Sequence, residues 1–220
     1  MSTYRRFVLI IRHWRQERRR SDRGYDKLHK QRIMHDDIKK AVEVLKNGGI
    51  ILYPTDTIWG IGCDATDEKA VKRIYDIKKR EDSKSMLVLM ENPALLDRYV
   101  DEVPEVAWDL VEISTTPLTV IYPGAKNLAA NLIADDGSIG IRFTKEDFTR
   151  QLLQRFRRPI VSTSANISGE KSPDFFDAIS EEIKDAVDYV VEFRQEDRSS
   201  SKPSSIIKLR PGGQIDILRK

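Results

Sequence analysis

The sequence predicts a mixed α/β fold (α/β or α+β), in which an open, twisted sheet of parallel and antiparallel strands is flanked by helices. Helical and extended segments are interspersed along the 220 residues without strict alternation, which argues against an all-parallel sheet. A chain of this length can bury one sizeable core. Apolar residues make up 40% and charged residues 33%, as in soluble globular proteins. No apolar run approaches the ~20 residues that a membrane helix requires, so we expect no membrane partner.

Hydrophobic periodicity and capping residues define the elements in order. The first is a helix that begins after Asp36 or Asp37 as its cap and ends at the glycines of 48–49. The elements that follow are a strand at 50–53, a helix capped by Asp67, a strand at 86–90, a helix at 104–113, strands at 118–122 and 138–143, a helix at 146–156, a strand at 159–162, a helix at 177–187, and strands at 189–193, 204–209 and 214–218. The polar stretch 194–205 predicts a loop.

Charge divides the chain into two parts. Residues 1–32 contain eleven basic and three acidic side chains, a net charge of +8, whereas residues 33–220 carry −5. We therefore expect residues 1–33 to form a basic, disordered N-terminal extension and residues 34–220 to form the folded domain. Such an extension can bind nucleic acid through phosphate contacts, or it can be upstream sequence translated from an early start codon. The sequence leaves both interpretations open.

Histidine and cysteine are too scarce for several kinds of site. The three histidines lie at or before His35, and Cys63 is the single cysteine. The main part of the chain therefore has no Ser-His-Asp or Cys-His nucleophile and no cluster of thiolate or imidazole metal ligands. One cysteine cannot form an internal disulfide and is typical of a reducing compartment. We expect a cytoplasmic protein without a dedicated metal site.

Polar segments follow several of the predicted buried strands and helices. PTDTIWGIG (54–62) follows the first strand, Lys78 and Arg80 end the second helix in IKKR, and VSTSANISG (161–169) ends a later strand. Arg142 adds one cation to the apolar strand SIGIRF. Fixed cations with small hydroxyl and amide groups suit phosphate and carboxylate ligands, for which catalysis depends mainly on positioning and electrostatics.

Each segment also has a purely structural interpretation. PTDTIWGIG reads equally as a strand-ending turn, and STSAN as a helix N-cap. Arg142 can point to solvent or pair with a carboxylate, and cations such as Lys78 and Arg80 favour the negative end of a helix dipole. Residues two apart do not share a helix face, so we expect the chain to leave the helix between these two and let them converge on one anion. Neither phosphate-loop signature, GxxxxGK or GxGxxG, is present.

In their order and spacing, PTDTIWGIGCDA, IKKR, TPLTVIYPG, SIGIRF, STSANISG and the terminal SSII resemble the YrdC/TsaC-like family of L-threonylcarbamoyladenylate synthases over about residues 36–219. The resemblance implies a YrdC-like fold with a large concave cavity, in the short, single-domain form. It implies a nucleotidyltransferase that converts L-threonine, bicarbonate and ATP into threonylcarbamoyl-AMP and pyrophosphate. That product supplies N6-threonylcarbamoyladenosine in tRNA, and separate threonylcarbamoyl-transferase proteins complete the transfer.

The resemblance also implies roles for individual residues. Its lysine-x-arginine and serine-x-asparagine signatures give the catalytic set Lys78, Arg80, Ser164 and Asn166. The residues implied for L-threonine are Thr55, Arg142, Ser164 and Ser204, with Arg142 on the carboxylate. The residues implied for ATP, taken as its Mg²⁺ complex, are Lys78, Arg80, Ser138, Asn166, Asp174 and Arg219, with Ser172 beside Asp174. No tightly bound metal or organic cofactor is implied.

Some positions depart from the family pattern, and two other functions compete. Asp174 replaces a usual Thr or Ser, and Glu81 and Ser85 replace prolines around the IKKR segment. One alternative is a non-catalytic module that binds double-stranded RNA or tRNA through the basic extension and a cationic cavity. The other is a carbamoyl-phosphate site as in hydrogenase-maturation proteins, which carry zinc-binding cysteines that this chain lacks.

Overall fold

The computed structural model describes residues 26, 28–79, 86–199, 203–210 and 214–220. The helices in these residues are α1 (28–46), α2 (Glu68–Ile77), α3 (Glu105–Ile113), α4 (Asp147–Phe156), α5 (Glu181–Ala186) and short 3₁₀ turns at Pro93–Arg98, Ala130–Leu132 and Phe176–Ala178. The strands are β1 (Ile51–Tyr53), β2 (Gly60–Gly62), β3 (Leu87–Met90), β4 (Leu118–Tyr122), β5 (Ile139–Phe143), β6 (Ile160–Ser164), β7 (Tyr189–Val190), β8 (Ser205–Leu209) and β9 (Ile215–Arg219). Among the described helices, none combines the length and apolar character that crossing a bilayer requires.

The nine strands form a single mixed sheet, in the order β7-β1-β2-β6-β3-β5-β4-β8-β9. Three neighbouring pairs are parallel, namely β1 with β7, β3 with β5, and β4 with β8. The other pairs are antiparallel. The presence of both pairing directions confirms the predicted mixed sheet. It agrees with a sequence that lacks the regular βαβ alternation of all-parallel sheets.

The two faces of the sheet differ in burial. One row of adjacent residues across five strands is buried and consists of Ile207, Val120, Ile141, Val88 and Val161. The next row points to the other face and consists of Lys208, Ile121, Gly140, Leu87 and Ser162, of which the first four are partly exposed. Since side chains alternate along a strand, the second row marks one open face that helices leave accessible.

Helix α1 corrects the prediction for the start of the domain. Residues 28–33, which we assigned to the extension, are helical, and Asp36 and Asp37 lie inside the helix instead of capping it. Asp37 is buried, and its carboxylate accepts hydrogen bonds from the Tyr189 hydroxyl and from the backbone N–H groups of Glu192 (3.2 Å) and Phe193 (2.7 Å). The division of the chain near residue 33 stays a prediction, because residues 1–25 and 27 lie outside the described part.

Other elements agree with the sequence, except that one strand was missed, one helix is shorter, and the strand predicted at 189–193 is reduced to β7. Asp67 caps α2 as predicted, and its carboxylate accepts from the N–H groups of Lys69 (2.9 Å) and Ala70 (3.1 Å). The strand β2 was missed because its glycines have low strand propensity and the segment was interpreted as a turn. The helix predicted at 177–187 is reduced to α5 and a preceding 3₁₀ turn.

Gly62 is expected to be the least replaceable residue of β2. A Cβ on Gly62 would lie 2.6 Å from the Val161 carbonyl oxygen and 2.7 Å from Tyr53 Cε1. Gly62→Ala should therefore lower the free energy of unfolding by about 1–3 kcal/mol. A Cβ on Gly60 would meet its nearest atoms at 3.3–3.4 Å, so Gly60→Ala should cost clearly less. Urea denaturation of both variants measures the difference, and equal losses would contradict this close packing.

Candidate active site

Two cavities lie over the open face of the sheet, and a third adjoins them among the loops at the strand ends. The central cavity, about 290 Å³, is lined by Thr55, Trp59, Gly60, Arg142, Ser162, Ser164, Ser172, Ser204 and Arg219 among others. The loop cavity, about 360 Å³, is lined by Thr55, Asp56, Thr115, Thr116, Lys145, Glu146 and Arg194 among others. The sheet cavity, about 490 Å³, is lined by Leu87, Ile121, Ser138, Gly140, Ile206 and Lys208 among others. Thr55 is shared by the first two, and Leu87 and Ile206 by the first and third. Together they offer the space of a typical ligand site.

The end of α2 meets the loop after β6. Lys78 follows the last residue of α2, and Lys79 has a positive φ of 48°, so the chain leaves the helix where the sequence predicted. Lys78 is 1% exposed, and its ammonium donates to the carbonyl oxygens of Ser164 (2.5 Å) and Asn166 (2.6 Å). Lys78 thus fixes the Ser-x-Asn loop under the central cavity. Arg80 lies outside the described residues, so the convergence of the two cations stays a prediction.

Asn166 shapes the Ser-x-Asn loop from within. Its Nδ2 donates to the carbonyl oxygens of Ile167 (2.8 Å) and Glu170 (2.9 Å), and its Oδ1 accepts from the Ser172 hydroxyl at 3.5 Å. Ser164 ends β6 opposite Gly60 and lines the central cavity. No helix begins at this loop in the described residues, so the interpretation of STSAN as a helix N-cap is wrong.

Thr55 organises the turn between β1 and β2. Its hydroxyl donates to the Ile58 carbonyl oxygen at 2.7 Å and accepts from the Thr57 N–H at 3.0 Å. The Arg194 guanidinium donates to the Thr55 carbonyl oxygen at 3.2 Å and also pairs with Asp197 at 2.9 Å. Residues 194–197 therefore contact the turn between β1 and β2 and fix its position beside the cavities.

Arg142 has a buried carboxylate as its partner. Its Nη2 lies 3.1 Å from Asp56 Oδ1, and the two side chains are 5% and 13% exposed. Burial raises the pKa of Asp56, and the charge of Arg142 opposes that rise. The contact of Nη2 with Oδ1 is an ion pair without hydrogen-bond geometry, and Arg142 Nε has no hydrogen-bond partner within the described part of the chain. Arg142 lines the central cavity as well, so it faces a carboxylate and a ligand space together.

Strands β8 and β9 bring two predicted residues together at the other side of the central cavity. Arg219 donates from Nε to the Ser204 carbonyl oxygen at 2.8 Å and from Nη2 to the Ser204 hydroxyl at 3.3 Å. The Ser204 hydroxyl also lies 2.8 Å from Thr119 Oγ1 on β4. Both residues line the central cavity. Ser204, which was predicted to bind L-threonine, and Arg219, which was predicted to bind ATP, are therefore neighbours.

Of the described residues predicted to bind ATP, only Arg219 lines the central cavity. Lys78 and Asn166 bond within the loop that carries Ser164, and Ser138 and Asp174 lie apart. Ser138 lines the sheet cavity and donates to Asp136 at 2.5 Å. Hydrogen bonds from Lys208 and Ser138 lower the pKa of Asp136 to about 2. Asp174 pairs with Lys171 at 2.8 Å and borders a small recess of about 20 Å³. Thr55 lines the same recess, so Asp174 lies near one predicted residue while its carboxylate pairs with Lys171, and its role in the site stays a prediction.

Sequence reasoning assigned no specific site role to three residues that shape the site. These are Asp56, Trp59 and Arg194. Asp56 had a detectable signal, because Arg142 in an apolar strand needs a counter-charge and Asp56 is the only acid between residues 50 and 63. Trp59 and Arg194 carried no signal, since their positions depend on the contacts of Trp59 with Phe176 (ring centroids 4.9 Å apart) and of Arg194 with Thr55.

Comparison with known proteins identifies the family. The sequence model of the Sua5/YciO/YrdC family, described as "Telomere recombination", matches residues 43–220. The chain belongs to the Sua5/YciO/YrdC family. A family relative from Methanocaldococcus jannaschii, provisionally named threonylcarbamoyl-AMP synthase, is 35% identical over 84% of this chain and 88% of its own. The threonylcarbamoyl-AMP synthase of Pseudoalteromonas translucida is 35% identical over 61% of this chain and 74% of its own.

Solved structures of Sua5/YciO/YrdC proteins share the fold. E. coli YciO superposes with a TM-score of 0.72 at 26% identity, over 83% of this chain and 88% of YciO. P. abyssi Sua5 complexed with L-threonine superposes with a TM-score of 0.70 at 26% identity, over 78% of this chain. This chain spans about half the length of that Sua5, 50% of which is covered. These matches confirm the fold and the family that the sequence motifs indicated.

Proposed function

We propose that this member of the Sua5/YciO/YrdC family is a threonylcarbamoyl-AMP synthase, a nucleotidyltransferase acting on L-threonine, bicarbonate and ATP. The main support for the proposal is that Lys78 donates hydrogen bonds to the carbonyl oxygens of Ser164 and Asn166. Ser164 in turn lines the same cavity as Arg142 and Arg219. Relatives that this chain covers over most of their length bear the name of that activity. The proposal also draws on the P. abyssi Sua5 structure, which contains L-threonine.

The proposed substrate sites divide the cavities. L-Threonine occupies the central cavity where it adjoins the loop cavity at Thr55, with its carboxylate on Arg142 and its hydroxyl side near Ser164 and Ser204. ATP extends toward the sheet cavity, whose floor of Leu87, Ile121, Gly140 and Ile206 offers apolar area for a base. Arg80, Asn166, Ser138 and Arg219 complete its contacts in this proposal, and Asp174 does so only if its loop moves. The magnesium ion enters as part of the ATP substrate.

The chemistry needs positioning and charge, and it needs no imidazole. The threonine amine attacks bicarbonate to form a carbamate, and a carbamate oxygen then displaces pyrophosphate in line at the α-phosphorus. Arginine side chains beside the phosphates stabilise the charge that builds on the leaving group, and Lys78 holds the loop that carries Ser164. Each charge-assisted contact contributes about 1.5–3 kcal/mol, or roughly one to two decades in rate if it forms only in the transition state.

The instability of the product implies the partner and the location that we propose. Threonylcarbamoyl-AMP is a mixed anhydride that hydrolyses readily, so a threonylcarbamoyl-transferase must consume it for N6-threonylcarbamoyladenosine in tRNA. A cytoplasmic location beside that partner belongs to the proposal. The RNA-binding alternative relied on a cationic cavity and on the basic extension, most of which lies outside the described part, and the comparisons do not favour it.

Pyrophosphate release tests the proposed function. We expect release from the purified chain only when ATP, L-threonine and bicarbonate are all present, because the carbamate is the nucleophile toward ATP. L-Serine lacks one methyl group and should support release with kcat/KM about 10–200-fold lower. Coupled-enzyme detection of pyrophosphate, with each substrate omitted in turn, provides the measurement. Release that persists without threonine, or equal turnover of serine, would contradict the proposal.

A further inference from the structure

A buried ion pair forms the wall between the central and loop cavities. Arg142 opens on the central cavity and Asp56 on the loop cavity, and Thr55 lines both where they adjoin. Arg142 Nε and Asp56 Oδ1 are buried without a hydrogen-bond partner among the described residues. Buried polar atoms usually have partners. Arg142 Nε has no partner, and Asp56 Oδ1 has only a poorly aligned ion pair with Arg142 Nη2, so both groups indicate a ligand that completes their contacts where the two cavities adjoin.

An α-amino acid has the matching charges. Its carboxylate and its ammonium group are attached to one carbon, so a molecule whose carboxylate binds Arg142 carries its ammonium beside Asp56. The 3.1 Å separation of Arg142 Nη2 and Asp56 Oδ1 is comparable to the spacing of those two groups. Bicarbonate or phosphate alone would satisfy Arg142 but would be repelled by the Asp56 carboxylate. The pair therefore favours a zwitterion over a simple anion.

We propose that Asp56 binds the α-ammonium group of the amino acid substrate and removes one of its protons, so that the free amine can attack bicarbonate. This inference rests on the proposed function. In the step, the amine nitrogen bonds to the bicarbonate carbon, and the carbon–hydroxyl bond breaks. The leaving hydroxide takes a second nitrogen-bound proton to form water. Asp56 keeps the first proton and later returns it to solvent, so atoms and charges balance.

Asp56 is the acid best placed for this task. The acidic residues among the described lining of the central and loop cavities are Asp56 and Glu146. The Glu146 carboxylate caps α4 and already accepts from the Phe148 N–H, the Thr149 N–H and the Thr149 hydroxyl. Burial raises the pKa of Asp56, which strengthens it as a base toward an ammonium group. No histidine follows His35 to take the role.

The test separates carbamate formation from adenylyl transfer. Asp56→Asn should lower pyrophosphate release from threonine, bicarbonate and ATP by about 100-fold or more. The same variant should still form ATP from pyrophosphate and threonylcarbamoyl-AMP, prepared with the wild-type protein, within about tenfold of wild type, because that reverse step moves no ammonium proton. Asp56→Glu, which keeps a carboxylate, should recover the forward rate at least tenfold over Asp56→Asn. Asp76→Asn, which breaks the exposed Lys72–Asp76 pair, serves as the matched control and should behave as wild type.

The possible outcomes distinguish the base role of Asp56 from the proposed synthase function. A forward rate in Asp56→Asn close to wild type would overturn the base role. A parallel loss of the forward and reverse reactions, with no recovery in Asp56→Glu, would show that the pair only holds the shape of the site and would overturn it equally. Wild-type protein that releases no threonine-dependent pyrophosphate would overturn the proposed function itself, and this inference with it.

Discussion

Replacement of Lys78 by methionine is expected to lower the free energy of unfolding by about 3–5 kcal/mol and pyrophosphate release by at least about 100-fold. The Lys78 ammonium is buried and donates to the carbonyl oxygens of Ser164 and Asn166. Charge-assisted hydrogen bonds contribute about 1.5–3 kcal/mol each, and their loss leaves two carbonyls without this partner. The loop that carries Ser164 would then lose its anchor. Urea denaturation and the pyrophosphate assay measure the two effects.

The neighbouring lysine provides the matched control for Lys78. Lys79 forms an exposed pair with Glu182 at 2.7 Å, with side chains 63% and 57% exposed. Exposed ion pairs contribute little, so Lys79→Met should leave both the urea denaturation midpoint and the rate near wild type. Equal stability of the two variants would show that the contacts of Lys78 do not hold the loop.

Replacement of Arg142 by glutamine is expected to raise the KM for threonine by about 100-fold and to destabilise the fold by about 3–5 kcal/mol. The carboxylate of the substrate loses its charged partner, and Asp56 is left as an uncompensated buried charge. The double variant Asp56→Asn/Arg142→Gln removes both charges and should recover most of the lost stability without recovering activity. Steady-state kinetics for threonine and for ATP, together with urea denaturation, measure these effects.

The two substrates distinguish the role of Arg142. The KM for ATP should change by less than about fivefold in Arg142→Gln, because the phosphates are assigned to other cations. Arg150→Gln, which breaks an exposed pair with Asp147, should leave both KM values unchanged. A KM for ATP that rises as much as that for threonine would place a phosphate, and not the carboxylate, on Arg142.

Local patterns predicted most of the fold, and tertiary contacts explain the exceptions. Asp67 was correctly predicted to cap α2, because a short carboxylate before an apolar periodic segment can accept hydrogen bonds from the free N–H groups of the first helical turn. The same reasoning failed at Asp37, whose partners Tyr189, Glu192 and Phe193 come from a distant part of the sequence. β2 escaped prediction because its strand state depends on pairing with β1 and β6 and not on its glycine-rich sequence.

The candidate site was also predictable only where local sequence motifs, and not tertiary contacts, determine it. The motifs identified Lys78, Ser164 and Asn166 as a group, and the structure brings them into contact. Asp174 was carried over from its motif position, and its carboxylate pairs with Lys171 beside a small recess that Thr55 also lines. Asp56 was passed over because its importance depends on Arg142, which approaches it only in the folded sheet.

The most direct measurement is the mass of the product made from L-threonine, ATP and ¹³C-labelled bicarbonate. The central claim is that one cavity joins a carbamate of threonine to the α-phosphate of ATP. We expect, by liquid chromatography with mass spectrometry of freshly quenched reactions, one compound that contains threonine, AMP and a single ¹³C. Formation of ADP and phosphate, or an adenylate of threonine without the label, would contradict the account.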